Sequence, residues 1–126
     1  MDIDLPDVVA EVRAAFDAYE RALVSNDVAA LDAMFQDDPR TIRFGGAENL
    51  FGYAQIKAFR AARSPAGLAR TLSHTVITAY GRDVAVASTL FHRDTMAGKV
   101  GRQMQTWVRF PEGWRVVAAH VSLIDT

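Results

Sequence analysis

Twelve arginines, three histidines and three tyrosines carry most of the chemistry open to this chain, because it contains no cysteine. Thiolate nucleophiles, disulfides and cysteine zinc sites are therefore excluded. The arginines matter first, since a planar guanidinium fork suits carboxylate and phosphate recognition. Arg43 sits in the stretch Thr41-Ile42-Arg43-Phe44-Gly45, which alternates like a strand. If Ile42 and Phe44 face a core, Arg43 faces solvent or a partner subunit. If the strand is covered on both sides, alternation no longer decides, and Arg43 is free to point into a pocket. Tyr19 is the second residue of interest. It lies between Phe16 and Leu23 on an apolar stripe, where its ring packs and its hydroxyl either finds a backbone partner or enters a cavity. A phenol donates or accepts a proton, and cationic neighbours favour its anion. Arg63 continues the stripe of Ile56 and Phe59 at a four-residue step, whereas Lys57 and Arg60 lie off it. It either snorkels outward at a helix end or lines a pocket.

Other chemistries find little support. His74, His92 and His120 stand on separate predicted strands with no carboxylate at ligand spacing, so no metal is expected. "RFGGAE" lacks the strand–loop–helix setting and the lysine of a phosphate loop, and no nucleophile elbow is present. The basic residues are scattered rather than gathered into a tract with aromatics, which argues against nucleic-acid binding. Proton shuttling of the ketosteroid-isomerase kind wants an acid within a pocket strand. The strand-region acids Asp83, Asp94, Glu112 and Asp125 all fall at turns or ends.

These residues must be positioned by a chain of 126 residues, half of them hydrophobic and 23% charged, the size and composition of one soluble domain. Such a chain buries a substantial core without disulfides or metals. The acidic start "MDIDLPDVVAEV" is not that of a signal peptide, and no apolar run approaches a membrane span. With the absent cysteines, this leads us to expect a cytoplasmic protein with no membrane partner. The net charge of −1 hides an asymmetry. Residues 1–38 hold ten acids against two arginines, a balance of −8, and residues 39–126 hold five acids against twelve basic residues, a balance of +7.

The first half reads as helices. Asp4-Leu5-Pro6-Asp7 starts the first, with proline where its missing N–H costs nothing and acids in the opening turn. Val8, Val12, Phe16, Tyr19 and Leu23 form its stripe. Ser25 to Asp27 ends it and caps a short second helix with Leu31, Met34 and Phe35, which Pro39 stops. "YAQIKAFRAAR" is the third, ended by Ser64-Pro65. The second half reads as four long strands, "RTLSHTVITAY", "DVAVASTLFHRD", "GRQMQTWVRF" and "GWRVVAAHVSLID", joined by glycine-containing turns into an antiparallel meander. Helices followed by such a sheet make an α+β domain. In regular strands Arg102, Met104, Thr106 and Val108 share one face, and Trp114, Val116, Ala118, His120 and Ser122 share another. Nothing in the pattern says which faces point inward.

The order of elements and the ending "EGWRVVAAHVSL" resemble the SnoaL-like branch of the nuclear-transport-factor-2-like superfamily. Within it, "AYERALVSNDVAALDAMF", "AENLFGYAQIKAFRAAR", "SPAGLAR", "TVITAYGRD" and "GRQMQTWVRFPEGWRVVAAHVSL" resemble the AtzH-like group over nearly the whole chain, with a departure at Met104, where that group's pattern has a small polar residue. The resemblance implies one SnoaL-like domain over residues 1–126: a cone-shaped roll with three N-terminal helices packed in a strongly curved, mostly antiparallel sheet. It implies a cofactor-free amidohydrolase step in nitrogen-compound catabolism, on a small anionic carboxylated urea, with Tyr19 and Arg43 at the group's catalytic positions. A decarboxylating step from a dicarboxyurea to allophanate fits the same description. To Arg63, a substrate-binding candidate from its place on the helical stripe, the wider superfamily adds Arg102 and His120, although a lone strand histidine is more often structural. It also implies a homodimer formed through the sheet and a functional association with an amidase. The alternative is a non-enzymatic protein that binds a small anion or assists that amidase.

Overall fold

Pro6 opens helix α1 (Pro6–Val24) at a position whose N–H would have no partner in the helix, and Asp7 follows in the first turn. The computed structural model describes residues 1–126. All five stripe residues, Val8, Val12, Phe16, Tyr19 and Leu23, are buried, so the 3.6-residue period translates directly into the core face of α1. Asp27 caps α2 (Val28–Ala33) by accepting a hydrogen bond from the Ala30 N–H at 3.1 Å. The short hairpin β1 (Ile42–Phe44) and β2 (Asn49–Phe51) leads into α3 (Tyr53–Ala62). Gly52 makes that junction at φ 93°, a left-handed conformation that an L side chain resists. Four long strands complete the chain: β3 (Thr71–Tyr80), β4 (Val84–His92), β5 (Lys99–Phe110) and β6 (Gly113–Asp125). A single 3₁₀ turn at Asp94–Met96 lies between β4 and β5.

The six strands form one curled, unclosed sheet in the order β2-β1-β6-β5-β4-β3. All neighbours are antiparallel except β1, which runs parallel to β6 with Arg43 beside Ala119. The helices pack against the concave face, giving the α+β cone expected from the order of elements. Trp107 of β5 is fully buried there, with its ring edge-on to Tyr19. The Trp114 indole of β6 donates to Glu11 of α1 at 3.0 Å. No helix is long and apolar enough to cross a membrane.

Two features of the sheet decide where functional side chains point. On β5 the inward set is Gly101, Gln103, Gln105 and Trp107, so Arg102 and Met104 face outward. On β6 the pairing slips: Thr106 faces Ala118, but Trp107 faces Val116, and Val117 is the extra residue. This bulge flips the parity of the strand. Trp114 and Val116 point inward before it and Ala119 after it, leaving His120 exposed. The single shared face read from strict alternation for Trp114 through Ser122 therefore does not exist. Arg102 and His120 lie together with Met104 and Ser122 in a shallow hollow on the outer surface.

Candidate functional site

Arg43 points inward. On β1 it is the buried residue, 9% exposed, while Ile42 and Phe44 turn half-buried to the outer face. Apolar residues outside and an arginine inside invert the usual pattern, which is why alternation alone leaves both orientations open. The Arg43 Nη1 donates to Glu48 Oε1 at 2.9 Å, and the guanidinium carbon lies 5.5 Å from the centre of the Phe59 ring.

A pocket of about 410 Å³ opens beside this pair. It sits at the end of the cone where β4 finishes, β5 begins and β6 ends, as the pairing of Phe91 with Gly101 and of Gly101 with Leu123 shows. Arg43, Arg63 and Arg93 bring three positive charges to its wall, Glu48 one negative charge, and Phe59, Leu68 and Phe91 the apolar surface. Arg63 stands at the C-cap of α3, where an extended backbone (φ −74°, ψ 136°) turns the side chain off the helix axis. Its Nε and Nη2 are buried without a hydrogen-bond partner, as is the Nε of Arg93. Unpaired buried donors are costly, and Arg63 and Arg93, which carry three of them, both line this cavity. Burial, first of all, holds the Arg63 guanidinium below its ordinary pKa, and Arg43, Arg60 and Arg93 push the same way. Arg93 is lowered chiefly by burial and next by Arg70. A small anion would relieve both the desolvation and the mutual repulsion.

Tyr19 is 4% exposed and wedged between Phe35 and Trp107, with ring centroids at 6.2 and 6.4 Å. It does not form part of the pocket wall, and the hydrogen bond of Arg43 goes to Glu48 rather than to its hydroxyl. Its electrostatic neighbours are Arg63 and Arg93, each of which a phenolate at Tyr19 would favour as a cation.

The remaining buried charges are structural supports. Arg70 grips Glu20 with two hydrogen bonds, Nε to Oε2 at 2.8 Å and Nη2 to Oε1 at 2.6 Å, and its Nη2 also reaches Gln103 at 3.0 Å. Arg70 and Arg93 both lie over the Phe91 ring, at 4.6 and 4.8 Å. Arg60 corrects the helical-stripe reading. Far from lying off the packed side of α3, it is 2% exposed, stacked on Phe35 at 4.2 Å and within 3.4 Å of Asp32. Its long stem follows Ile56 at a four-residue step, and the α2 acid accepts from its Nη1 while its Nη2 stays unpaired.

Of the five candidate residues, the structure gathers Arg43 and Arg63 at one pocket and leaves Tyr19 off its wall. It places Arg102 and His120 on the outer face of the sheet, away from that pocket. The same geometry removes the departure at Met104 from the pocket, since that side chain is 56% exposed on the outer face. Sequence reasoning missed Arg93 and Glu48. Arg93 follows directly on the end of a strand and carries no periodic signal. Glu48 closes the four-residue loop Gly45–Glu48, whose register sets Arg43 opposite Leu50, so its contact with Arg43 carries no cross-strand signal either.

Comparison with known proteins agrees with this architecture. The chain is similar over 98% of its length to 96% of a protein of unknown function from the DUF3225 family of Pectobacterium atrosepticum, at 59% identity and a TM-score of 0.96. It is 48% identical to a cystatin-like fold protein of Burkholderia xenovorans, covering 100% of this chain and 98% of that one, with a TM-score of 0.96. A nuclear-transport-factor-2-like superfamily protein of Salmonella enterica matches at 26% identity over 92% of this chain and 90% of that one, with a TM-score of 0.74. No curated protein matches the chain. The AtzH-like family model matches residues 1–126, and the chain belongs to the AtzH-like family.

Proposed function

We propose that the chain is a cofactor-free enzyme of nitrogen-compound catabolism acting on a small carboxylated urea, of the dicarboxyurea-to-allophanate type. The observation that carries this reading is the convergence of Arg43, Arg63 and Arg93 on the wall of one cavity, with Arg63 Nε and Nη2 and Arg93 Nε buried and unpaired. Such a cavity binds a carboxylate through charge-assisted hydrogen bonds and opposes negative charge that builds on a urea carbonyl. In the chemistry proposed, the bond between a urea nitrogen and its carboxylate carbon breaks. The electron pair stays on nitrogen, delocalised into the urea carbonyl that the arginines polarise, and nitrogen takes up one proton. The carboxylate departs as carbon dioxide, or as bicarbonate where water adds first. Tyr19 is the proton carrier in this scheme, acting through a bound water because it stands off the pocket wall, with its ring held by Phe35 and Trp107. A carbamate-type C–N bond is labile, so proximity and electrostatics suffice without a nucleophile.

The test is product analysis with the isolated protein. Supplied with carboxylated ureas, it should release allophanate and carbon dioxide or bicarbonate, and Arg43→Ala should abolish release while the protein stays folded. Binding without product would favour the second reading, a small-anion-binding or accessory protein of an amidase, which the unpaired arginines fit equally well.

A further inference from the structure

Glu48 is the one negative charge on the pocket wall, and neither the stripe of α1 nor the arginine cluster accounts for it. Its carboxylate sits where a ligand carboxylate would go. Oε1 accepts from Arg43 Nη1 at 2.9 Å, and Oε2 accepts from the Ala47 N–H at 3.2 Å. The contact is made through one guanidinium nitrogen, so the paired geometry that a planar carboxylate and a guanidinium prefer is not used.

The hairpin is built to allow this approach. A Cβ on Gly45 would overlap the Glu48 carboxyl group. Gly45 is not among the glycines with positive φ, so the backbone there suits an alanine, and the bare Cα serves to leave room for Glu48. The Glu48 side chain is also the more exposed partner, 21% against 11% for Arg43. It stands at the rim, with solvent to receive it, while Arg43 is fixed against Phe59.

We propose that Glu48 is an internal competitor for Arg43: its carboxylate occupies the guanidinium in the empty pocket and swings to the rim when an anion binds. Glu48 thereby sets which anions the pocket accepts. A ligand must offer Arg43 more than a monodentate carboxylate does, which selects planar carboxylates that use the full fork and also reach Arg63 or Arg93. This rests on the reading of the cavity as an anion site, and the experiment separates the two.

Malonate serves as the probe, titrated by calorimetry at fixed ionic strength into the wild type, Glu48→Gln, Gly45→Ala, Arg43→Ala and the Glu48→Gln/Arg43→Ala double variant. Displacing a partly exposed ion pair predicts about two- to fivefold tighter binding in Glu48→Gln. Gly45→Ala, which dislodges the carboxylate without removing its charge from the chain, should tighten binding in the same direction. The gain from Glu48→Gln should vanish when Arg43 is already alanine. Malonate binding to the wild type with Glu48→Gln unchanged or weaker overturns the competition alone, and identifies Glu48 as a support that positions Arg43. A gain that survives in the Arg43→Ala background also overturns it, since it reflects net charge. Malonate binding to none of the variants overturns the anion site and the competition together.

Discussion

The Tyr19 ring meets the Trp107 ring edge to face, with centroids 6.4 Å apart and planes at 89°. Trp107 is fully buried, and its indole N–H donates to Gln105 at 3.1 Å, so the wall against which Tyr19 rests is itself fixed. The packing of Tyr19 therefore belongs to its ring, and only the hydroxyl remains for chemistry. Tyr19→Phe keeps every ring contact and should change stability by less than about 1 kcal/mol, as volume-conserving substitutions do. If Tyr19 carries the proton, the same variant loses turnover on a carboxylated urea while malonate still binds. Thermal unfolding and product assays on one preparation read both quantities. Full turnover in Tyr19→Phe removes the residue from the mechanism.

Arg63 should trade stability against binding. Its Nε and Nη2 are buried with no acceptor, and three other arginines add to the strain of its charge. Arg63→Met keeps an unbranched stem of similar reach and removes the unpaired donors. An unmade buried hydrogen bond costs about 1–3 kcal/mol, so in anion-free buffer the variant should be as stable as the wild type or melt a few degrees higher. With malonate present the order should reverse, because the wild type gains the stabilisation of a bound ligand and the variant gains less. Thermal shift with and without malonate decides it. A variant that melts lower than the wild type in anion-free buffer would show that Arg63 is a structural residue.

The helices and the antiparallel run from β3 to β6 were legible because each rests on a local signal, whereas the place of β1, parallel beside β6, rests on none. The stripe from Val8 to Leu23, proline at the start of α1, Asp27 as a cap and glycine-bearing turns between strands are all written in neighbouring residues. The site was legible only in part. Alternation does not orient Arg43 on β1, because both faces of that strand carry apolar surface: Ile42 and Phe44 belong to the outer one, and Arg43 looks into the cone against Phe59. Strict alternation groups His120 with the inward Trp114 and Val116. One extra residue, Val117, reverses the parity of β6, and a bulge leaves no mark in a run of valines and alanines. Helical periodicity sets Arg60 off the packed side because it ranks a charge by its position and not by the acid that another helix supplies. Tertiary partners decide such residues, and a single sequence does not contain the pairing.

The outer face of the sheet yields the next prediction. Ile42, Phe44, Val86, Met104, Thr106 and Ala118 form a continuous, mostly apolar surface there, with Met104 more than half exposed. We propose that this face is where two copies of the chain pair. Met104→Glu places a charge at its centre, far from the Arg43 pocket, and should convert a dimer to a monomer without loss of helix or strand content. Sedimentation velocity across a concentration series reads the mass. A wild type that sediments as one chain at all concentrations rules the pairing out.

Gly101 offers a test of how the pocket floor is made. It lies on the inward face of β5, paired with Phe91 of β4 and Leu123 of β6, both of which belong to the pocket wall. The Phe91 ring lies flat across it, and a Cβ on Gly101 would overlap that ring. Phe91 is 1% exposed and has little room to retreat, since the guanidinium groups of Arg70 and Arg93 both stack on it. Gly101→Ala therefore overpacks the site and should cost about 1–3 kcal/mol. The displaced ring must carry Arg93 with it, so malonate affinity should fall along with stability. A companion Phe91→Leu substitution in the Gly101→Ala background makes room for the new methyl group and should recover part of the lost stability. It removes the aromatic face under Arg93, however, so binding should not recover. Denaturant unfolding and calorimetry on the single and double variants separate the two effects. Full recovery of both would mean that Phe91 only fills space and that Arg93 needs no aromatic support.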